Sequence, residues 1–339
     1  KILKSISLNI GTVRIKELYF NKDNINGAKE YILENLKKVF EQNIDIPSKA
    51  VGIGGSIRTL SKMIMDKNDY PLDAIHGFTY NVNKEKKLFE NILKADTNDE
   101  LQELGVKKDR FDTIKEGTFI FKTILDELDI KEVVTSGVGV REGVYLTDLL
   151  RNSNHRFPNN FNVSVKNLLD RFELNEKQSA YFGNNAKKIF EVLKPLHNLD
   201  DKFKELLVVS SKLHSVGSSL NFYKKNDNAF EFILNGLNYD FQHTSRVIVA
   251  HTIKFSKKSL PKQSDIEEYK ELLPNLETMQ WLSFMIALNI AVNTDFSCPK
   301  VNYILNNDIL RLELPNRSFL INSYIEKLEL PKDLSLEIL

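Results

Sequence analysis

Cysteine is almost absent from this chain. Cys298 is the only one in 339 residues, which excludes an internal disulfide framework and any cysteine-rich zinc centre. It stands before Pro299 in a polar stretch and reads as an incidental thiol. Long apolar runs are missing too. The longest, Trp281 to Val292, falls short of the roughly 20 residues a membrane span needs and ends in Asn293, Thr294 and Asp295. Neither sign of charge dominates: 47 Lys and Arg oppose 46 Asp and Glu, a formal net charge of +1. That balance argues against bulk nucleic acid or an anionic membrane as the main partner, and still allows a local basic surface. No signal-peptide pattern stands at the start. The expectation is a soluble, cytoplasmic protein, with 42% hydrophobic and 27% charged residues sufficient for sizeable cores in two or three domains.

The first 150 residues alternate strand and helix signals. Ile6, Leu8 and Ile10 give Ile2 to Ile10 the period-two pattern of a half-buried strand. Asn26 to Phe40 reads as an amphipathic helix, Ala50 to Ile53 as a short strand and Ile57 to Met65 as a helix. A polar excursion follows. Thr118 to Leu128 then reads as a helix, Glu132 to Thr135 as a buried strand and Glu142 to Leu150 as another helix. This alternation predicts an α/β layer. Residues 151–160, asparagine-rich with Pro158, form the best linker. From Val163 to about Phe255 the apolar spacing is helical, and a second polar stretch, Ser256 to Asp265, precedes an apolar helix around Met279 to Val292. Tyr303 to Leu305 and Leu310 to Leu314 flank Asn306-Asn307-Asp308 as a hairpin. The chain begins at Lys1 and enters its first apparent strand almost at once, whereas termini usually carry some slack. The expectation is that it is the remainder of a longer protein.

The clearest chemical signal is Val51-Gly52-Ile53-Gly54-Gly55-Ser56, a strand running through a glycine pair into a helix. Glycines let a backbone approach an anion, and a helix start presents unpaired N–H groups at its positive dipole end. Ser56 is a candidate N-cap, and Arg58 in the first turn is a candidate for a charge-assisted bond to phosphate. The bland alternative is that the glycines only permit a tight turn. The run lacks the lysine of a Walker loop and the spacing of a dinucleotide fingerprint. Leu213-His214-Ser215-Val216-Gly217 sits where a metal phosphohydrolase of HD type has His-Asp on a helix, but Ser215 supplies no carboxylate. Asn226, Asn228 and Ser256 stand where further ligands are needed, and His251 is alone on its helix, so no metal site is expected. Thr135 to Gly143 follows a buried strand and opens a helix, with Arg141 and Glu142 reading as residues that tie the turn down. Lys254, Lys257, Lys258 and Lys262, with Lys224 and Lys225, offer a basic wall for a polyanion or simply a solvated face.

Taken in order, these pieces resemble the Ppx/GppA family of exopolyphosphatases and guanosine pentaphosphate phosphohydrolases. The matching landmarks are Ser7 to Arg14, Gly52 to Leu60, Tyr70-Pro71-Leu72 through His76-Gly77, Arg110 with Asp112 before Glu116-Gly117, Ser136 to Gly143, and Leu213 to Gly217. The resemblance implies α/β plus all-α architecture: a second actin-like (ribonuclease H-like) domain over 1–152, a degenerate HD-like helical domain over 161–258 and a small α+β C-terminal extension over 259–339. It implies that a first actin-like domain, carrying the catalytic glutamate, is not in this chain. Gly54, Gly55 and Ser56 match the phosphate-contacting loop, with Ser56 in place of the usual Thr, and Arg58 joins them. Lys254, Lys257 and Lys258 are the candidate polyanion wall. Gln178 replaces what is often the first histidine of the HD pattern. The implied partners are polyphosphate or guanosine pentaphosphate, with Mg²⁺ in the complete enzyme and none on this fragment; a homodimer is allowed. Two other classes remain open: a non-catalytic polyphosphate or nucleotide sensor, and an HD-type metallohydrolase. A sugar-kinase-like half is more distant.

Overall fold

A four-residue strand, Glu132–Thr135, organises the first part of the chain because both of its edges are occupied. In the computed structural model, which describes residues 5–40, 47–159, 161–294, 300–314 and 318–339, the chain divides into two units, Lys1–Phe157 and Pro158–Leu339. The fold is mixed α and β with mostly helical content.

The first unit runs α1 (Thr12–Leu18), α2 (Ile25–Phe40), β1 (Lys49–Gly52), α3 (Gly55–Lys67), β2 (Thr79–Asn81), α4 (Val82–Lys94), α5 (Asn98–Glu103), α6 (Ile114–Glu127), β3 (Glu132–Thr135) and α7 (Val140–Leu149). The sheet order is β1-β3-β2. β1 pairs with β3 in parallel, Val51 opposite Val134, and β2 pairs with β3 antiparallel. Helices α3, α4 and α6 pack Leu60, Ile64, Phe89, Ile92, Ile114 and Leu125 against Val133 in one core. Each such side chain contributes about 1.5–3 kcal/mol on burial. The parallel β1–α3…β3 arrangement sends both strands' C-terminal ends, Gly52 and Thr135, toward the same edge, where Ser136 N–H donates to the Gly52 carbonyl at 2.8 Å. That edge carries the glycine turn.

One expectation fails here. Ser5 to Ile10 is not a strand, and the rest of the expected element, Ile2 to Lys4, lies outside the described residues. A strand persists only where its backbone groups find a neighbour, and residues 5–10 pair with none of the described strands. Their alternation serves packing instead: Leu8 and Ile10 lie on the cluster of Ile15, Ala28, Ile32 and Leu36 formed by α1 and α2. The polar excursion also hides structure that the sequence reading left blank, namely β2, α4 and α5. Helix α4 has the signals of one: Asn81 caps it by accepting from Asn83 N–H, and Val82, Leu88, Phe89 and Ile92 are buried on one face.

The second unit runs α8 (Val163–Arg171), α9 (Glu176–His197), α10 (Asp201–Leu213), α11 (Lys225–Gly236), α12 (His243–Lys254), α13 (Gln263–Ile266), α14 (Leu276–Ala291), β4 (Asn302–Asn306), β5 (Ile309–Glu313), α15 (Phe319–Ile325) and β6 (Ser335–Ile338). Helix α14 is apolar all round and accordingly central; Trp281, Leu282, Phe284, Met285, Ile286 and Leu288 are all buried. Its core takes in Phe190 and Ile248 on one side of residue 258 and Leu310 and Leu334 on the other. Two amides inside it are paired across the helices. Asn185 Nδ2 donates to Asn289 Oδ1 and to Tyr303 Oη, each at 2.8 Å, and Asn289 Nδ2 donates to the Phe182 carbonyl at 2.9 Å. The expected hairpin is β4–β5, turning at Asn307 with φ 55°, and β6 adds to it in parallel. No described helix is long and apolar enough to cross a membrane. Cys298 and Asn160 lie outside the described residues.

Candidate functional site

The glycine turn at the end of β1 is open. Gly54 has φ 115° and ψ 172°, a region essentially reserved for glycine, and a Cβ placed there would meet nothing within 4 Å. Gly54 is the N-cap of α3, not Ser56, which lies in the first turn with its side chain against Gly117 of α6. Glycine brings no capping oxygen. No side chain caps this helix, and the N–H groups of Gly55, Ser56 and Ile57 have no protein acceptor among the described residues. Three unpaired donors at the positive end of a 13-residue helix make an oxyanion-accepting turn.

Arg58 does a different job from the one its sequence position suggests. Its Nε donates to the Ser136 carbonyl and its Nη2 to the Val138 carbonyl, both at 3.1 Å. The guanidinium thus ties the loop after β3 to the first turn of α3. Arg110 stands over the glycine turn instead, its Nη1 2.5 Å from where a Cβ on Gly55 would lie. Its side chain is 41% exposed, with Asp109 3.4 Å from Nε. The sequence carried this residue only as a landmark of the family resemblance, because its position 55 residues from Gly55 has no local signature.

The second glycine-rich loop, Ser136 to Gly139, is closed by contrast. Gly137 N–H donates to His76 Nδ1 at 3.1 Å, and Gly139 N–H donates to Glu142 Oε2 at 2.8 Å. The Gly139 amide holds the Glu142 carboxyl below its ordinary range. Glu142 therefore ties its own turn through the Gly139 amide, and Arg141 is exposed.

The residues beside that loop do not form a cage for Mg²⁺. Asp112, 96% exposed, lies 3.7 Å from Lys16 Nζ. Glu116, 5% exposed, has an Oε2 with no partner, and burial pushes its carboxyl upward against the opposing pull of Lys16 and Lys115. A carboxylate beside a lysine on the surface and one buried away from the turn do not form a donor set for a hard cation. Among the described residues no group of three or more His, Cys, Asp or Glu is placed to hold a metal.

In the second unit, Gln178, His214 and Ser215 line one cavity, so three positions that the sequence compares with an HD site do come together. The others do not. Asn226 Nδ2 donates to the Ile253 carbonyl at 2.8 Å and to Ser256 Oγ at 3.1 Å, and Asn228 Nδ2 donates to the Gly217 carbonyl at 3.3 Å, both fastening turns. His251 is buried among Phe230, Phe255 and Tyr269, and its imidazole contacts the Val247 carbonyl at 2.8 Å. The candidate polyanion wall is partly committed. Lys254 lies 4.2 Å over the Phe230 ring, Lys257 is 3.8 Å from Asp227, and Lys258 lies 5.3 Å over the Tyr324 ring.

Residues 1–152 match the model of the Ppx/GppA phosphatase family, and residues 162–333 match that of Ppx/GppA phosphatase, domain III. Similar proteins include the guanosine-5'-triphosphate,3'-diphosphate pyrophosphatase of Photobacterium profundum, 21% identical over 267 residues, 76% of this chain and 52% of that protein. The protein of the same description from Pseudoalteromonas translucida is 21% identical over 327 residues, 91% of this chain and 62% of its own length. A bifunctional 3-dehydroquinate synthase/phosphatase of Fusobacterium nucleatum is 33% identical over 134 residues, 37% of this chain and 20% of that protein. A crystal structure of the Aquifex aeolicus member of the Ppx/GppA family aligns with 45% of this chain and 50% of its own, at 27% identity and a TM-score of 0.37. The chain spans between about half and two thirds of the length of the first two pyrophosphatases. With both models matched, the second alone over just more than half its length, the chain belongs to the Ppx/GppA phosphatase family.

Proposed function

We propose that this chain is part of a phosphohydrolase that removes the terminal phosphate of polyphosphate or guanosine pentaphosphate. On this reading residues 1–152 are the second actin-like domain, 161–258 an HD-like helical domain without metal chemistry, and 259–339 an α+β extension. Water attacks the terminal phosphorus in line, a new P–O bond forms, and the bridging P–O bond breaks toward the rest of the chain or nucleotide. Negative charge spreads over the equatorial oxygens as this happens. The N–H groups of Gly55 and Ser56, aimed out of the start of α3, and the Arg110 guanidinium beside them offset that charge. Arg58 keeps the neighbouring loop in place.

The observation that carries this reading is the uncapped start of α3 with Arg110 over it. Its support from relatives is the pyrophosphatase description of proteins 21% identical to this chain. No described residue near the turn is placed to orient the attacking water: Glu116 is buried and Asp112 is paired with Lys16. The chain by itself therefore binds phosphate weakly and does not turn over. Incubation with polyphosphate or guanosine pentaphosphate and Mg²⁺, followed by phosphate release, tests this. The expected result is saturable binding, weakened roughly tenfold in Arg110→Ala, without steady release. Release at the rate of a full-length relative overturns it.

A further inference from the structure

Helices α9, α10, α11, α14 and α15 border a cavity of about 660 Å³ within the second unit, with Leu174, Phe182, Ile290 and Tyr324 as its apolar walls. Two polar groups in it are fixed and keep unmet bonding capacity. The His214 ring lies 4.3 Å from Phe182, and its Nδ1 is 2.8 Å from the Ser211 carbonyl. A carbonyl only accepts, so Nδ1 carries the proton and Nε2 keeps its lone pair. That Nε2 has no hydrogen-bond partner among the described residues. Burial pushes the His214 pKa to about 4, so the imidazole is a neutral acceptor at physiological pH.

Lys225 is the second group. It is half-buried, lies 5.0 Å over the Phe222 ring, and has no carboxylate within ion-pair reach among the described residues. Burial lowers its pKa, and its field adds to the lowering at His214, so the two share one side of the cavity. Gly217 fixes their relation. A Cβ there would stand 1.9 Å from the Lys225 carbonyl oxygen, so the turn carrying His214 is pressed directly on the start of α11. Glu173, the one carboxylate in the lining, is exposed and pairs with neither.

A partly desolvated cation without a carboxylate partner is costly, and the His214 Nε2 lone pair, open to the cavity, is left to accept from a ligand donor. One kind of ligand satisfies both: a flat apolar ring bearing an N–H donor, joined to an anionic group. We propose that this cavity binds a nucleoside monophosphate, its base against the apolar walls with an N–H on His214 Nε2 and its phosphate on Lys225. The site lies wholly inside the second unit and does not depend on the reaction proposed for the first.

Calorimetric titration of the whole chain with GMP, AMP, guanosine and inorganic phosphate tests the proposal. In the Arg110→Ala chain, whose first-unit turn is disabled, a nucleoside monophosphate should bind at one site at least about tenfold more tightly than guanosine or phosphate alone. Lys225→Gln should weaken the nucleotide at least about fivefold and leave guanosine unchanged, while His214→Leu should weaken both nucleotide and guanosine. Because His214 stays neutral, affinity should not fall through loss of the acceptor between about pH 6 and 8. Arg110→Ala, which disables the turn of the first unit, should leave this binding intact. If His214→Leu does not fold, Lys225→Gln on its own decides. Equal or absent binding of all four probes, an unchanged Lys225→Gln titration, or loss of binding in Arg110→Ala overturns the proposal.

Discussion

Two arginines near one glycine turn have opposite employment. Arg58 spends its Nε and Nη2 on the Ser136 and Val138 carbonyls, whereas Arg110 lies over Gly55 with its side chain partly in solvent. Arg58→Ala should therefore cost about 1–3 kcal/mol of stability by stranding the Ser136 carbonyl and removing one of two donors to the Val138 carbonyl. Arg110→Ala should change stability by less than about 0.5 kcal/mol and weaken phosphate binding by roughly tenfold. Urea denaturation beside a phosphate titration separates the two, and the reverse pattern would exchange their roles. Gly54 sets the shape that both serve. At φ 115° and ψ 172° any L-residue is strained, so Gly54→Ala should destabilise by about 1–3 kcal/mol, seen as a lower urea midpoint at constant slope.

Among the elements, α3 and α7 show how two strand–turn–helix units with similar sequences diverge. Both follow parallel strands and both begin after glycine, yet Glu142 reaches back to cap α7 while nothing caps α3. Helix α7 also buries none of its residues, leaving Val140, Val144, Tyr145 and Leu149 exposed. The pairing of α9 with α14 has the opposite character, since its register is fixed by buried amides. Asn289 accepts from Asn185 and donates to the Phe182 carbonyl. Asn289→Leu keeps the branched shape but strips Asn185 of one acceptor and the Phe182 carbonyl of its second donor. It should cost about 2–3 kcal/mol; a midpoint within error of the parent would show that water replaces those bonds.

Over the whole molecule, stability depends on histidines buried without charge. His214 and His251 have pKa values pushed by burial to about 4, and burial lowers that of His197 as well. Their folded values lie below the ordinary 6.5 of an unfolded chain, so between about pH 6.5 and 4 the unfolded state holds more protons. Stability is therefore lost as pH falls through that window, by about 2–3 kcal/mol for each of His214 and His251. Glu116 acts with the opposite sign, because its carboxyl is raised, but it is a single group. Thermal melts should show Tm falling from pH 7 to pH 5, and a flat or rising Tm would contradict the burial assigned to these rings.

The sequence by itself determined the elements whose signals are local. The Glu132–Thr135 strand, the helix from Ile25, the apolar α14 and the hairpin at Asn307 all announce themselves in periodicity or turn chemistry within a few residues. The ordered motifs determined the family, and Gly54-Gly55-Ser56 marked the turn. Tertiary structure decided what depends on distant partners. Residues 5–10 alternate like a strand but pair with none of the described strands, and Ser56 yields the cap to Gly54. Arg58 is claimed by carbonyls about 80 residues away in sequence, which leaves Arg110 beside the uncapped amides of α3. Pattern is written along the chain, whereas hydrogen-bond satisfaction and charge pairing are settled only between segments that folding brings together.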